Sequence, residues 1–182
     1  MVQYISILRG INVGGVRKVP MAALKSALEK AGFLEVQTYI QSGNVIFDSE
    51  EIGASILEEN IQGIITETFG FADVPVIVRT SEEWAESISN NPFLKENDVD
   101  IEELHLTFLK EQPSAENLEK IRSLYFLPDR FQIIGKDVFV YCENGYGRSK
   151  ITNDFFEKKL KVSATTRNWK TVMRLQELIN SR

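Results

Sequence analysis

The tetrapeptide Gln41-Ser42-Gly43-Asn44, set between two runs of β-forming residues, constrains the fold of this chain more than any other stretch. Residues 34–40 and 44–48 read as strands, and so short a glycine-bearing turn makes them antiparallel neighbours. What lies on either side narrows the topology. Residues 2–8 (Val-Gln-Tyr-Ile-Ser-Ile-Leu) are a strand-length run of β-formers, and Leu24, Ala27, Leu28 and Ala31 recur at helical spacing. Pro20 suits the start of that helix and Gly32 its left-handed stop. Beyond the hairpin, Ile52, Ile56, Ile61, Ile64 and Phe69 mark a long amphipathic helix ending near Gly70. Residues 73–79, with Val74, Val76 and Val78 alternating around Pro75, read as a strand with an irregular start. The order is βαββαβ, a ferredoxin-like unit.

The pattern then resumes. Residues 81–103 give a short helix, a breaker at Asn90-Asn91-Pro92 and an acidic stretch. A strand over 104–110, a helix over 114–123, strands over 130–135 and 137–142 and a helix near 153–160 follow, with one more helix from about 166 to 180. The expected fold class is therefore α+β, with two ferredoxin-like (βαββαβ-type) subdomains. These span residues 1–80 and 81–182, the second a degenerate βαββα copy with an extra C-terminal helix. A chain of 182 residues and 20.7 kDa accommodates two such small units.

The formal net charge of -5 argues against a generally basic nucleic-acid binder, but the charge is unevenly spread. Residues 1–80 carry -3, residues 81–147 carry -8, and residues 148–182 carry nine basic against three acidic side chains, or +6. The basic tail keeps an anionic partner in play. The single cysteine, Cys142, forms no internal disulfide, and no window reaches the length of apolar residues that a membrane span needs. With Arg9 interrupting the first apolar run there is no leader pattern either, so a cytoplasmic location is expected, with no membrane partner.

The candidate site residues fall in three places. Arg9-Gly10-Ile11-Asn12-Val13-Gly14-Gly15-Val16-Arg17-Lys18 links a strand to a helix; its glycines free backbone N–H groups, and Arg9, Arg17 and Lys18 supply donors for an anion. Gly10 and Gly15 have the spacing of a phosphate-binding loop, but Val16 and Arg17 stand where Lys and Ser/Thr are needed, and no dinucleotide fingerprint is present. Glycine turns in a solvated loop account equally for the pattern. Gln41, Ser42 and Asn44 form a polar hairpin tip that turn chemistry also explains. Simple topology would put that tip and the first loop at opposite ends of their strands. Third, Asn144-Gly145-Tyr146-Gly147-Arg148-Ser149-Lys150 leaves a strand through two glycines and enters a helix, repeating the logic of the first loop. Thr165 or Thr166 would then cap the last helix, with Arg167 in its first turn and Arg167, Lys170 and Arg174 on the face opposite Trp169, Val172, Met173 and Ile179. His105 reads as a polar strand position and Cys142 as core. One histidine and one cysteine supply no zinc ligand set, and no cofactor or metal is expected.

Three separated segments carry a resemblance. Leu8-Arg9-Gly10-Ile11-Asn12-Val13-Gly14-Gly15, Tyr39-Ile40-Gln41-Ser42-Gly43-Asn44-Val45 and Thr166-Arg167-Asn168-Trp169-Lys170-Thr171-Val172 resemble the domain of unknown function 1697 family, as does Arg148-Ser149-Lys150. The resemblance implies a bacterial-type cytoplasmic protein of ferredoxin-like elements and carries no assigned activity. It points to a shared polar site at Arg9, Asn12, Gly14, Gly15, Gln41, Ser42, Asn44, Arg148, Lys150, Arg167 and Asn168; Lys170 departs from the asparagine frequent there. Lys18 and Ser149 join these on their chemistry. The expected function is binding of an anionic ligand, a nucleotide or a nucleic-acid phosphate. The alternatives are an enzyme acting on a phosphorylated or anionic small molecule, with Ser42 or a water as nucleophile, and a protein-interaction module.

Overall fold

The first hairpin forms where its turn residues place it. The computed structural model describes residues 1–182 and divides them into two units, Met1–Ala85 (with Arg182) and Glu86–Ser181. In the first, Leu34–Tyr39 (β2) pairs antiparallel with Asn44–Ser49 (β3), Tyr39 opposite Asn44. β3 lies against Val2–Leu8 (β1), whose other side carries Val76–Thr80 (β4), so the order is β2-β3-β1-β4. Met21–Lys30 (α1) and Ala54–Phe69 (α2) supply the crossovers of the expected βαββαβ unit. Their apolar stripes, Leu24 and Leu28 on α1 and Leu57, Ile61 and Ile65 on α2, pack on Tyr4, Leu8, Val45, Phe47 and Val78 of the sheet. β4 starts at Val76 because Pro75, lacking an N–H, contributes only its carbonyl, which accepts from the Arg9 N–H at 3.1 Å. Ser81–Ser89 (α3) follows without a loop. Thr80 Oγ1 accepts from the Glu83 N–H and the Glu83 carboxylate accepts from the Thr80 N–H, a reciprocal cap.

The second unit contains Leu104–Leu109 (β5), Ala115–Arg122 (α4), Arg130–Ile134 (β6), Asp137–Tyr141 (β7), Asn153–Leu160 (α5), Ala164–Asn168 (β8) and Trp169–Asn180 (α6), in sheet order β6-β7-β5-β8. One expected boundary is corrected here. Residues 164–168 form the fourth strand, so Thr165 and Thr166 are strand residues and Asn168 is the helix cap, its Oδ1 accepting from Thr171 N–H at 2.8 Å. Arg167 consequently leaves the helical stripe of Lys170 and Arg174. Two threonines followed by Arg-Asn carry no apolar alternation. Only their pairing with β5, Thr107 opposite Thr166 and Leu106 opposite Arg167, makes them a strand.

With β8 in place the two sheets correspond at their central positions. Ile5 of β1 lies between Ile46 and Arg79, as Leu106 of β5 lies between Phe139 and Arg167. Arg79 and Arg167 are both buried, and each donates from Nη1 to the carbonyl of the residue before it, at 3.1 and 3.0 Å. The residues that follow, Thr80 and Asn168, both cap a helix, so α6 is the counterpart of α3. No helix is long and apolar enough to cross a membrane.

Candidate functional site

Topology decides which candidate residues meet within each unit. Because α1 joins β1 to β2, these strands run the same way, and the β1 exit and the β2–β3 turn emerge at one end of the sheet, not at opposite ends. Ile7 lies opposite Asn44, and the Leu8 N–H donates to the Gly43 carbonyl at 2.8 Å. Gly43 has φ +83, and a Cβ there would sit 2.7 Å from Ile11 Cδ1 and 2.8 Å from Leu8 Cβ, so only glycine lets turn and loop touch.

The loop beyond β1 is a small finger. The Asn12 N–H donates to the Arg17 carbonyl at 3.1 Å and the Val16 N–H to the Val13 carbonyl at 3.0 Å, closing the finger over Gly14 (φ +57) and Gly15 (φ +79). Two consecutive left-handed residues are what a tight hairpin turn demands. A Cβ at either would meet nothing within 4 Å, so these glycines serve the turn, not close approach of another backbone. The Asn12 side chain locks the base: Oδ1 accepts from the Val19 N–H at 2.8 Å, and Nδ2 donates to the carbonyls of Val19 (2.8 Å) and Gln41 (2.9 Å). Arg17 pairs with Asp73. Lys18 and Gln41 are exposed and Arg9 is half-buried. Asn44, buried, donates to the Tyr39 carbonyl at 3.0 Å and to Ser42 Oγ at 3.2 Å. Asn12 and Asn44 thus spend their side chains on holding the loops, while the tip presents Val13 and Val16, each 65% exposed. Ile40, 47% exposed at φ +49, also belongs to this end. A β-branched residue is the last choice for that conformation, so no sequence signal marks it.

In the second unit the Asn144–Lys150 segment follows β7, the third strand. Its topological counterpart is therefore the loop after β3, not the Arg9–Lys18 loop that the sequence pairs it with. Ser149 Oγ donates to Asp129 Oδ2 at 2.7 Å and accepts from the Ile151 N–H at 3.1 Å, tying this segment to the loop that enters β6. Between the two loops lies a cavity of about 430 Å3 lined by Tyr125, Phe126, Asp129, Arg148, Ser149 and Lys150. Arg148 and Lys150 are exposed at its rim. The aromatic pair and Asp129 are absent from the sequence reading; a Tyr-Phe-Leu-Pro-Asp run outside any strand or helix was the available signal.

Behind the basic segment, the Tyr146 ring stacks on His105 with centroids 4.5 Å apart. Its hydroxyl accepts from the Asn153 N–H at 2.7 Å and donates to Thr166 Oγ1 at 3.3 Å; Thr166 in turn bonds Asn153 Oδ1 (3.0 Å) and Thr107 Oγ1 (2.7 Å). Burial raises the Tyr146 phenol and lowers the His105 imidazole, leaving both neutral near pH 7. Arg167, one residue beyond Thr166, points to the opposite sheet face, where burial draws its guanidinium down to about 10. It does not share a face with the Tyr146 segment, and Asn168 is occupied as a helix cap. Cys142 is core as expected, its thiol pushed up to about 11 by burial. No three His, Cys, Asp or Glu side chains cluster as a metal site would require.

The model of the protein family of unknown function DUF1697 matches residues 1–139. Among solved structures, the conserved bacterial protein SP0830 from Streptococcus pneumoniae is similar, with 23% identity, a TM-score of 0.76 and 97% of each chain covered, which bears on the fold alone. No curated relative matches the chain at a significant level.

Proposed function

We propose, for a chain that belongs to the DUF1697 family, that its second unit binds a nucleotide-type anion in the cleft between the Tyr125–Asp129 and Gly145–Lys150 loops. The observation that carries this reading is the pairing, in one cavity of about 430 Å3, of the cations Arg148 and Lys150 with the aromatic rings of Tyr125 and Phe126. A volume of that order suits a small-molecule ligand, usually about 300–1,000 Å3. Arginine and lysine donate charge-assisted hydrogen bonds to phosphate oxygens, and an exposed tyrosine offers a stacking face to a base. The first unit supports an anion site less well, because Arg17 is already paired with Asp73 and Asn12 is committed to backbone groups.

Calorimetric titration of the full chain with AMP, ADP, inorganic phosphate and a short oligodeoxythymidylate is the test. Saturable binding of a mononucleotide is expected. Hydrogen bonds to charged groups contribute about 1.5–3 kcal/mol, so Arg148→Ala or Lys150→Ala should each raise Kd about tenfold or more. Arg17→Ala should leave Kd unchanged. Absence of binding at low salt, or binding indifferent to the Arg148→Ala, Lys150→Ala double variant, refutes the reading. Preference for the oligonucleotide with a steep salt dependence would move the ligand from nucleotide to nucleic-acid backbone.

A further inference from the structure

The anion cleft has a larger neighbour. A second cavity, of about 610 Å3, shares Tyr125, Phe126, Leu127 and Asp129 with it. Its far wall is carbon: Phe93, Leu124, Phe131 and Ile133. That wall is held in place from behind. The Phe131 ring meets those of Phe155 and Phe156 edge to face, with centroids 6.4 and 5.4 Å apart, and Phe126 meets Phe155 in the same way at 5.0 Å. A preformed, mostly apolar cavity with few polar groups is what a small-molecule site requires.

The charges divide the two cavities. Both arginines that line the larger one have partners. Arg130 donates from Nη1 to Glu96 Oε2 at 2.7 Å, and its guanidinium lies 5.2 and 5.1 Å from the ring centroids of Phe93 and Tyr141. Arg122 is exposed, 3.9 Å from Glu119. Asp129 lines both cavities and is tied by Ser149 to the cleft side. An anion that moved into the larger cavity would leave Arg148 and Lys150 and meet a carboxylate and carbon, which is costly for an unpaired charge. A neutral, apolar group meets no such cost there and gains by leaving water.

We propose that the ligand of the cleft is a nucleotide whose phosphate carries an apolar chain, and that this chain fills the larger cavity while Arg148 and Lys150 hold the phosphate. The inference rests on the anion reading of the cleft. A bare mononucleotide held at the cations leaves the 610 Å3 beside it unfilled and its aromatic wall wet. Continuity of the two cavities through four shared residues is what assigns phosphate and chain to one molecule.

Calorimetric titration of the full chain with the methyl, butyl and hexyl esters of AMP is the test, since the three carry the same charge and differ only in carbon. Kd should fall about fourfold for each methylene buried. Ile133→Trp, which fills the larger cavity from outside the cleft, should bring the Kd of the hexyl ester up to that of the methyl ester, and binding of the methyl ester reports that the variant is folded. Leu124→Asn, which sets a polar group in the same wall, should at least halve the gain per methylene on a logarithmic scale. Kd values that stay level from methyl to hexyl, while the Arg148→Ala, Lys150→Ala double variant weakens all three, overturn the inference and leave the anion reading standing. A chain-length gain untouched by Ile133→Trp and Leu124→Asn overturns it equally, by placing the chain elsewhere. Esters indifferent to the double variant overturn the anion reading itself, and with it the claim that one ligand spans both cavities.

Discussion

Replacing Gly43 with alanine isolates what joins the β2–β3 turn to the finger at the end of the first sheet. Two separate costs arise. At φ +83 an L-residue occupies left-handed space, which costs about 1–2 kcal/mol. The new Cβ would also lie 2.7 Å from Ile11 Cδ1 and 2.8 Å from Leu8 Cβ, both fully or almost fully buried, so neither can swing aside into solvent. Overpacking of that kind costs about 1–3 kcal/mol, for a total of about 2–5 kcal/mol. Gly15→Ala is the matched control, since Gly15 has nearly the same φ, +79, with nothing within 4 Å of its Cβ position. It should cost only the left-handed share, about 1–2 kcal/mol. Urea unfolding followed by circular dichroism, with the slope compared between variants, reads both. Equal destabilisation by the two substitutions would refute the claim that close approach, and not backbone conformation alone, requires glycine at position 43.

Asn12→Ala removes the acceptor for the Val19 N–H and the donor to the Gln41 carbonyl, and should cost about 1–3 kcal/mol. Amide exchange should accelerate through residues 12–19 while β1 stays protected. For His105, burial holds the folded-state value below the ordinary 6.5, so the unfolded chain takes up the proton first and stability declines as pH falls below 6.5. His105→Gln should flatten the fall in Tm between pH 6.5 and 5 relative to wild type. An unchanged profile would show that the imidazole is protonated alike in both states.

Helices and strands with regular apolar spacing were legible in the sequence: Leu24 and Leu28, or Val138 and Val140, announce their faces without help. β8 was not, because Ala164–Asn168 owes its conformation to β5 and to the Thr107–Thr166 hydroxyl pair, and its threonines are equally good helix caps. The expected placement of the first loop against the hairpin failed for a different reason. Strand direction follows from the helix crossover and cannot be read from either loop, though the two loops were each recognised. At the candidate cleft, Arg148, Ser149 and Lys150 were visible as a basic segment between glycines. Asp129, Tyr125 and Phe126 were not, since a partner some 20 residues away in sequence is disclosed only by the Ser149–Asp129 hydrogen bond.

The repeat itself explains why the two glycine loops look alike in sequence yet differ in kind. Equivalent positions of the two units, Ile5 and Leu106, Arg79 and Arg167, Thr80 and Asn168, are scaffold positions: sheet centre, buried arginine, helix cap. Elaboration departs from the repeat. The first unit extends the exit of its first strand into a finger, where the second has only the residues between Leu109 and Ser114. The second extends the exit of its third strand into the Arg148–Lys150 segment, where the first runs directly from Ser49 to Gly53. The edges diverge likewise, β2 broken and β6 continuous. A duplicated binding site would have its chemistry at equivalent positions in both units. Here the cations Arg148 and Lys150 and the aromatic wall fall in loops that the first unit does not elaborate. The proposed anion cleft is therefore a feature of one unit and not of the repeat. Substituting Arg17 or Lys18 should thus leave nucleotide affinity, read by calorimetric titration, untouched.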